Sequence, residues 1–133
     1  MPNSAVLIDT SVWVDYLRGQ NQQLVEMVKG LIITQRARLC GLVLAELLSG
    51  VRAKEDRDVL ERTLEALAYL EVSRLTWTLT GEMSTELRVR GVRIPLTDLV
   101  VAALAIEHDC EFLTSDGHFD HVPRLKRFKP TKP

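Results

Sequence analysis

The chain has no apolar run near the roughly 20 residues that a bilayer requires; its longest, Leu99 to Ile106, is far shorter. A membrane-inserted protein is therefore not expected. The N-terminus carries no basic segment ahead of its apolar residues and reaches Asp9 after only four of them, so it does not read as a secretory signal. We expect a cytoplasmic protein. Cysteine is scarce: Cys40 and Cys110 lie in apolar stretches without CxxC spacing, which suggests reduced core thiols and not zinc ligands. Neither sign of charge dominates. With a formal net charge of −1, a phosphate-binding surface has to arise from local segregation of cations. Repeats, low-complexity tracts and linkers are all missing, and 133 residues suffice for one domain to bury its own core. A single domain over 1–133 is expected, with a basic tail from about residue 124.

What is present is an alternation of short apolar strands with helices. Ala5 to Ile8 is an apolar run that ends abruptly in Asp9, Thr10 and Ser11, as a buried strand does when it delivers polar residues to a sheet edge. A helix capped by Thr10 or Ser11 runs to Leu17 and closes at Gly19, and a second spans Gln22 to Ile33. Arg38 to Gly41 reads as a strand, Leu42 to Val51 as an apolar helix carrying Glu46, and Lys54 to Leu70 as a long charged outer helix striped by Leu60, Leu64, Leu67 and Leu70. A short strand near Glu71 to Ser73 and a helix over Thr76 to Arg90 follow, the latter ended by Gly91. Val92 to Pro95 then leads into Thr97, Asp98 and the apolar helix Leu99 to Ile106, and Glu111 to Thr114 is the last strand before the Ser115-Asp116-Gly117 turn. This pattern predicts an α/β fold in three layers, α/β/α, around a central parallel sheet.

Four carboxylates then stand at strand-helix junctions: Asp9, Glu46, Asp98 and Asp116. Singly, each has an ordinary structural use. Asp98 favours a helix N-terminus, worth about 0.3–1 kcal/mol, Asp9 suits a cap, Asp116 a turn, and Glu46 reaches solvent along its stem. Jointly, Asp9, Glu46 and Asp98 lie in apolar sequence, where burying a lone carboxylate costs several kcal/mol unless a cation offsets it. A divalent cation would hold several of them together. All-oxygen ligands point to Mg²⁺ or Mn²⁺ and to phosphoryl-group hydrolysis by an oriented water. Thr10, Ser11 and Thr114 are placed to hydrogen-bond the carboxylates or the water, or to cap.

Leu7-Ile-Asp9-Thr10-Ser11, Leu44-Ala-Glu46-Leu-Leu-Ser-Gly50, Leu96-Thr-Asp98 and Leu113-Thr-Ser-Asp116-Gly-His-Phe119 resemble the four signature segments of PIN-domain ribonucleases, in order and over nearly the whole chain. The pattern is most similar to VapC-type toxins of toxin–antitoxin pairs. The resemblance implies a Mg²⁺- or Mn²⁺-dependent endoribonuclease in which Asp9 and Asp98 are the principal metal ligands. Asp116 completes the shell directly or through water, and Glu46 positions or deprotonates the attacking water. It further implies an RNA substrate such as tRNA or rRNA, a homodimer, and a VapB-type antitoxin that packs near the site, with Leu42 to Leu48 and Leu60 to Leu70 offering apolar surface.

One departure stands out. Some relatives carry a fifth acid two residues after the last aspartate, where this chain has His118, with Asp120 a weaker stand-in. Because water activated by acids needs no imidazole, His118 and His121 are expected at the surface or in packing. Arg88, Arg90 and Arg93, and then Arg124, Lys126, Arg127, Lys129 and Lys132, flank the proposed site in sequence and offer phosphate contacts or solvated faces. A haloacid-dehalogenase-type phosphatase would want an aspartate at Ser11, and a receiver domain a lysine soon after Phe112; neither is present. An RNA-processing nuclease outside a toxin–antitoxin pair, and a catalytically silent binding module, remain as alternatives.

Overall fold

The computed structural model describes residues 4–130. Lys132, the last cation of the expected tail, lies outside them. The chain opens with β1 (Val6–Ile8), whose three residues are wholly buried, as a strand covered on both faces requires. It runs through Asp9 into α1 (Thr10–Arg18), which ends at Gly19 with φ of 68°, a left-handed conformation suited to glycine. Then come α2 (Gln22–Ile33), β2 (Ala37–Cys40), α3 (Gly41–Ser49), α4 (Lys54–Glu65), β3 (Ala68–Leu70), α5 (Arg74–Val89), α6 (Leu96–Glu107) and β4 (Glu111–Leu113). A short 3₁₀ turn (Gly117–His121) and β5 (Lys126–Arg127) close the order.

The five strands form one parallel sheet in the order β3-β2-β1-β4-β5, pairing Val6 with Ala37 on one side and with Glu111 on the other. This is the expected α/β fold. The helix with most buried surface is α6, where Leu99 through Ala105 are all buried and Ala102, Ala103 and Ala105 keep its surface narrow. A helix apolar on every side is stable only inside a core, and α6 meets that condition between α5 and β4. Trp13, Phe112 and Phe119 fill the centre. Both cysteines are free and buried, as reduced core thiols should be. Among the described residues no helix is long and apolar enough to cross a membrane.

Several boundaries differ from the sequence expectation. The charged helix stops at Glu65, and Ala68–Leu70 is a strand in register with Arg38–Cys40, while Glu71–Ser73 is not. Leu67 and Leu70 continue the helical spacing of Leu60 and Leu64, but the Leu67 N–H turns back to the Leu64 carbonyl and pairing with β2 claims the backbone of Leu70. Ser73 and Thr76 exchange side-chain-to-backbone bonds in a capping box, so α5 begins at Arg74 instead of Thr76. Asp9, not Thr10 or Ser11, is the residue before α1, and Pro95 sets the start of α6 at Leu96. The expected basic tail contains β5, whose two charged residues pair with Glu111 and Phe112.

Candidate active site

Successive strands run from β1 outward to β3, and the order then jumps to β4 on the other side of β1. The chain segments leaving β1 and β4 diverge at their carboxyl ends, and an open α/β sheet has its crevice at such a reversal. Asp9 leaves β1 there, and Thr114, Ser115 and Asp116 leave β4 there. Glu46 lies in α3, which follows β2 without a loop, and Asp98 in the first turn of α6.

Hydroxyl groups tie these acids together. Asp9 Oδ2 accepts from Thr114 Oγ1 at 2.7 Å and from Ser11 Oγ at 3.0 Å. Both hydroxyls also accept, Thr114 from the Asp116 N–H at 3.0 Å and Ser11 from the Ser115 N–H at 3.3 Å, so the segment after β4 is fastened to the one after β1. Thr10 Oγ1 donates to Glu46 Oε1 at 2.7 Å and ties α3 to the start of α1. The three expected supporting hydroxyls thus each meet an acid.

His118 is partly exposed and packed on an aromatic ring, as the sequence suggested, but it also bridges two of the acids. Its Nε2 lies 2.9 Å from Asp98 Oδ2 and its Nδ1 3.0 Å from Asp116 Oδ1, and its N–H donates to that same Asp116 oxygen at 3.1 Å. The ring stacks on buried Phe119, with centroids 5.1 Å apart. The bridge gives a continuous chain Asp9–Thr114–Asp116–His118–Asp98. The signal available in sequence was its position two residues after Asp116, the spacing that Ser11 has from Asp9. Asp120 is engaged elsewhere, paired with Arg127, so it does not stand in for a fifth acid. His121 is exposed.

Burial is incomplete for Asp9 and Asp98, and Glu46 reaches solvent, the ordinary use its stem allowed. Asp98 and Asp116 keep 32% and 44% of their side chains exposed, Asp9 is half-buried and Glu46 exposed: the three aspartates sit on a first turn, a cap or a loop at the sheet rim, and Glu46 on an outward position of the second turn of α3. The cost argument for a cation therefore weakens, and donor chemistry has to carry it. Their oxygens are hard donors suited to a divalent cation. Among the described residues, however, no three His, Cys, Asp or Glu side chains are grouped as metal ligands. The acids are hydrogen-bonded to hydroxyls and to His118, an arrangement that rotation of these partly exposed side chains would have to convert. Buried Cys40, at the base of the rim, has its thiol pushed above the usual range, first by burial and further by the charges of Asp9 and Glu46.

The cations separate into two groups. Arg124 meets Glu86 at 3.4 Å, Lys126 meets Asp109 at 2.5 Å, and Arg127 meets Asp120. Arg88, Arg90 and Arg93 have no ion pair among the described residues, and neither does Lys129.

A family description, the PIN domain, matches residues 6–125. Ribonuclease VapC11 of Mycobacterium tuberculosis is 30% identical over 124 residues, covering 90% of this chain and 92% of its own. Ribonuclease VapC19 of the same organism is 31% identical over 121 residues, covering 90% and 96%. Among solved structures, DNA-bound VapBC from Salmonella typhimurium is similar in fold, with a TM-score of 0.82 at 19% identity over 94% of this chain and 97% of that one.

Proposed function

This chain belongs to the PIN-domain family, and from that premise we propose that it is a VapC-type toxin, an endoribonuclease that hydrolyses RNA phosphodiester bonds with a divalent cation, Mg²⁺ or Mn²⁺. The relatives named ribonucleases over nine-tenths of the chain support the reaction class. The observation that carries the site is the hydrogen-bonded chain from Asp9 through Thr114, Asp116 and His118 to Asp98, with Glu46 tied in through Thr10.

In this reading Asp9 and Asp98 would be the principal residues to hold the cation, with Asp116 assisting directly or through water. A bound divalent cation supplies charge neutralisation for the carboxylates and the phosphate and makes a coordinated water more acidic. Thr114 and Ser11 fix the Asp9 carboxylate, and Thr10 fixes Glu46, whose free oxygen accepts a proton from the attacking water. That water adds to phosphorus as the bond to the leaving ribose oxygen breaks, and the leaving oxygen takes up a proton. No 2′-hydroxyl takes part, so no cyclic phosphate forms. The open rim suits a single-stranded segment of tRNA or rRNA. We further propose a homodimer and a VapB-type antitoxin as partner, supported by solved neighbours of the same fold that are toxin–antitoxin complexes.

The test is incubation of the protein with total tRNA and rRNA under Mg²⁺, Mn²⁺ or chelator, beside Asp98→Asn. Cleavage is expected with metal and wild-type protein only, and mapping the ends identifies the substrate. Cleavage that persists in chelator or in the variant overturns the mechanism.

A further inference from the structure

We propose that Arg88 and Arg93 form a subsite for a backbone phosphate of the RNA strand, beside the acid rim; this rests on the ribonuclease reading above. The two arginines line an open cavity of about 360 Å³ together with Leu87, Ile94, Pro95 and Leu99. Pro95 and Leu99 belong to the same first turn of α6 that carries Asp98, and the Asp98 and Leu99 N–H groups both donate to the Pro95 carbonyl. The cavity and the rim thus share the first turn of α6.

The chain reaches this geometry through a specific turn. Gly91 adopts φ of 77°, its N–H donates to Arg88 O at 2.9 Å, and the Val92 N–H donates to Leu87 O at 2.9 Å. This double bond pattern reverses the chain after α5 and brings Arg93 back over the turn that holds Arg88. Arg88 has a local use at a helix C-terminus, where a cation complements the dipole. Arg93, beyond the helix, has no such use.

Charge decides between the two basic groups that the sequence offered equally. Three tail cations already face carboxylates, and Lys126 sits opposite Glu111 at the amino end of β4, the far edge of the sheet from the acids. Arg88 and Arg93 are exposed and unpaired among the described residues. A polyanion approaching four carboxylates is repelled unless cations flank its path. A guanidinium offers phosphate a planar pair of donors, which a lysine cannot.

The experiment measures binding, not turnover. Fluorescence anisotropy of a single-stranded RNA oligonucleotide is followed across a salt series for wild type, Arg88→Gln/Arg93→Gln, Arg88→Lys/Arg93→Lys and, as control, Arg124→Gln. Each is measured in chelator and, on the Asp98→Asn background, with Mn²⁺. Losing the one phosphate that the two arginines share lowers the slope of log K against log salt by about 0.7, which near 0.15 M salt corresponds to about fourfold weaker binding. The lysine pair keeps most of the slope, and Arg124→Gln leaves it unchanged. Wild-type binding with an unaltered glutamine variant overturns the subsite alone. Failure of wild type to bind RNA in any arm overturns the ribonuclease reading with it. Loss of binding to an aspartate-rich peptide, with RNA binding intact, reassigns the surface to an acidic protein segment and also overturns the proposal.

Discussion

Replacing Thr114 with valine keeps the shape of a buried side chain and deletes one oxygen. That oxygen donates to Asp9 at 2.7 Å and accepts from the Asp116 N–H at 3.0 Å. A hydrogen bond to a charged group contributes about 1.5–3 kcal/mol, and an amide left without an acceptor costs about 1–3 kcal/mol. Ser11 still holds Asp9, and water reaches Asp116, so the lower halves of both ranges apply and the combined loss is about 2–4 kcal/mol. For 133 residues, an unfolding entropy of about 2.1 cal/mol/K per residue converts this to a fall in Tm of about 7–14 °C. The assay is thermal unfolding followed by circular dichroism, in chelator, with Thr114→Ser as the companion that retains the hydroxyl. The serine variant should lose about a third as much, through its missing methyl group. A valine variant melting within about 2 °C of wild type, or a serine variant as unstable as valine, refutes the role assigned to the hydroxyl.

Three further outcomes follow from the same geometry. His118→Asp sets a third carboxylate against Asp98 and Asp116; its Tm in chelator should fall, and Mn²⁺ should raise it by more than in wild type, whereas equal Mn²⁺ shifts by differential scanning fluorimetry would count against a shared cation site. Gly91→Ala places a Cβ at φ of 77° and should cost about 1 kcal/mol in urea unfolding, while an unaffected midpoint would show that the turn does not need glycine. Burial first, then nearby carboxylates, holds the Cys40 thiol above its ordinary value of 9.0, and Cys110 is raised mainly by burial. Because the unfolded chain releases these protons first, their contribution is fully present below about pH 9 and declines as pH rises beyond it. Urea midpoints should drop across that window less in Cys40→Ala/Cys110→Ala than in wild type, and parallel curves would contradict this.

The elements legible in sequence were those whose local pattern and tertiary fate agree. α2 occupies the expected Gln22–Ile33, and Asp9, Glu46 and Asp116 follow strands as expected, whereas Asp98 stands between α5 and α6 with no strand before it. Misread elements were set by partners distant in the chain. Ala68–Leu70 is a strand because β2 lies beside it, and Lys126–Arg127 pairs with β4 although two charged residues carry no strand pattern. The exposure of Asp98 was hidden for a related reason: its apolar neighbours in sequence point inward from α6 while the acid on the same turn faces the rim. The bridge made by His118 was missed because its meaning comes from Asp98, twenty residues earlier and on another helix.

The central place of β1 also governs when the protein becomes competent. Val6–Ile8 must pair with Glu111–Leu113, so the innermost strand stays open on one side until that distant segment has been made. Local helices such as α2 form early, but closure waits for the largest loop in the chain, which is the slow step for parallel pairing. A ribosome translating this message therefore carries an incomplete site until the segment after β4 has been made. Asp9 is made long before Thr114, the distant residue whose hydroxyl holds its carboxylate.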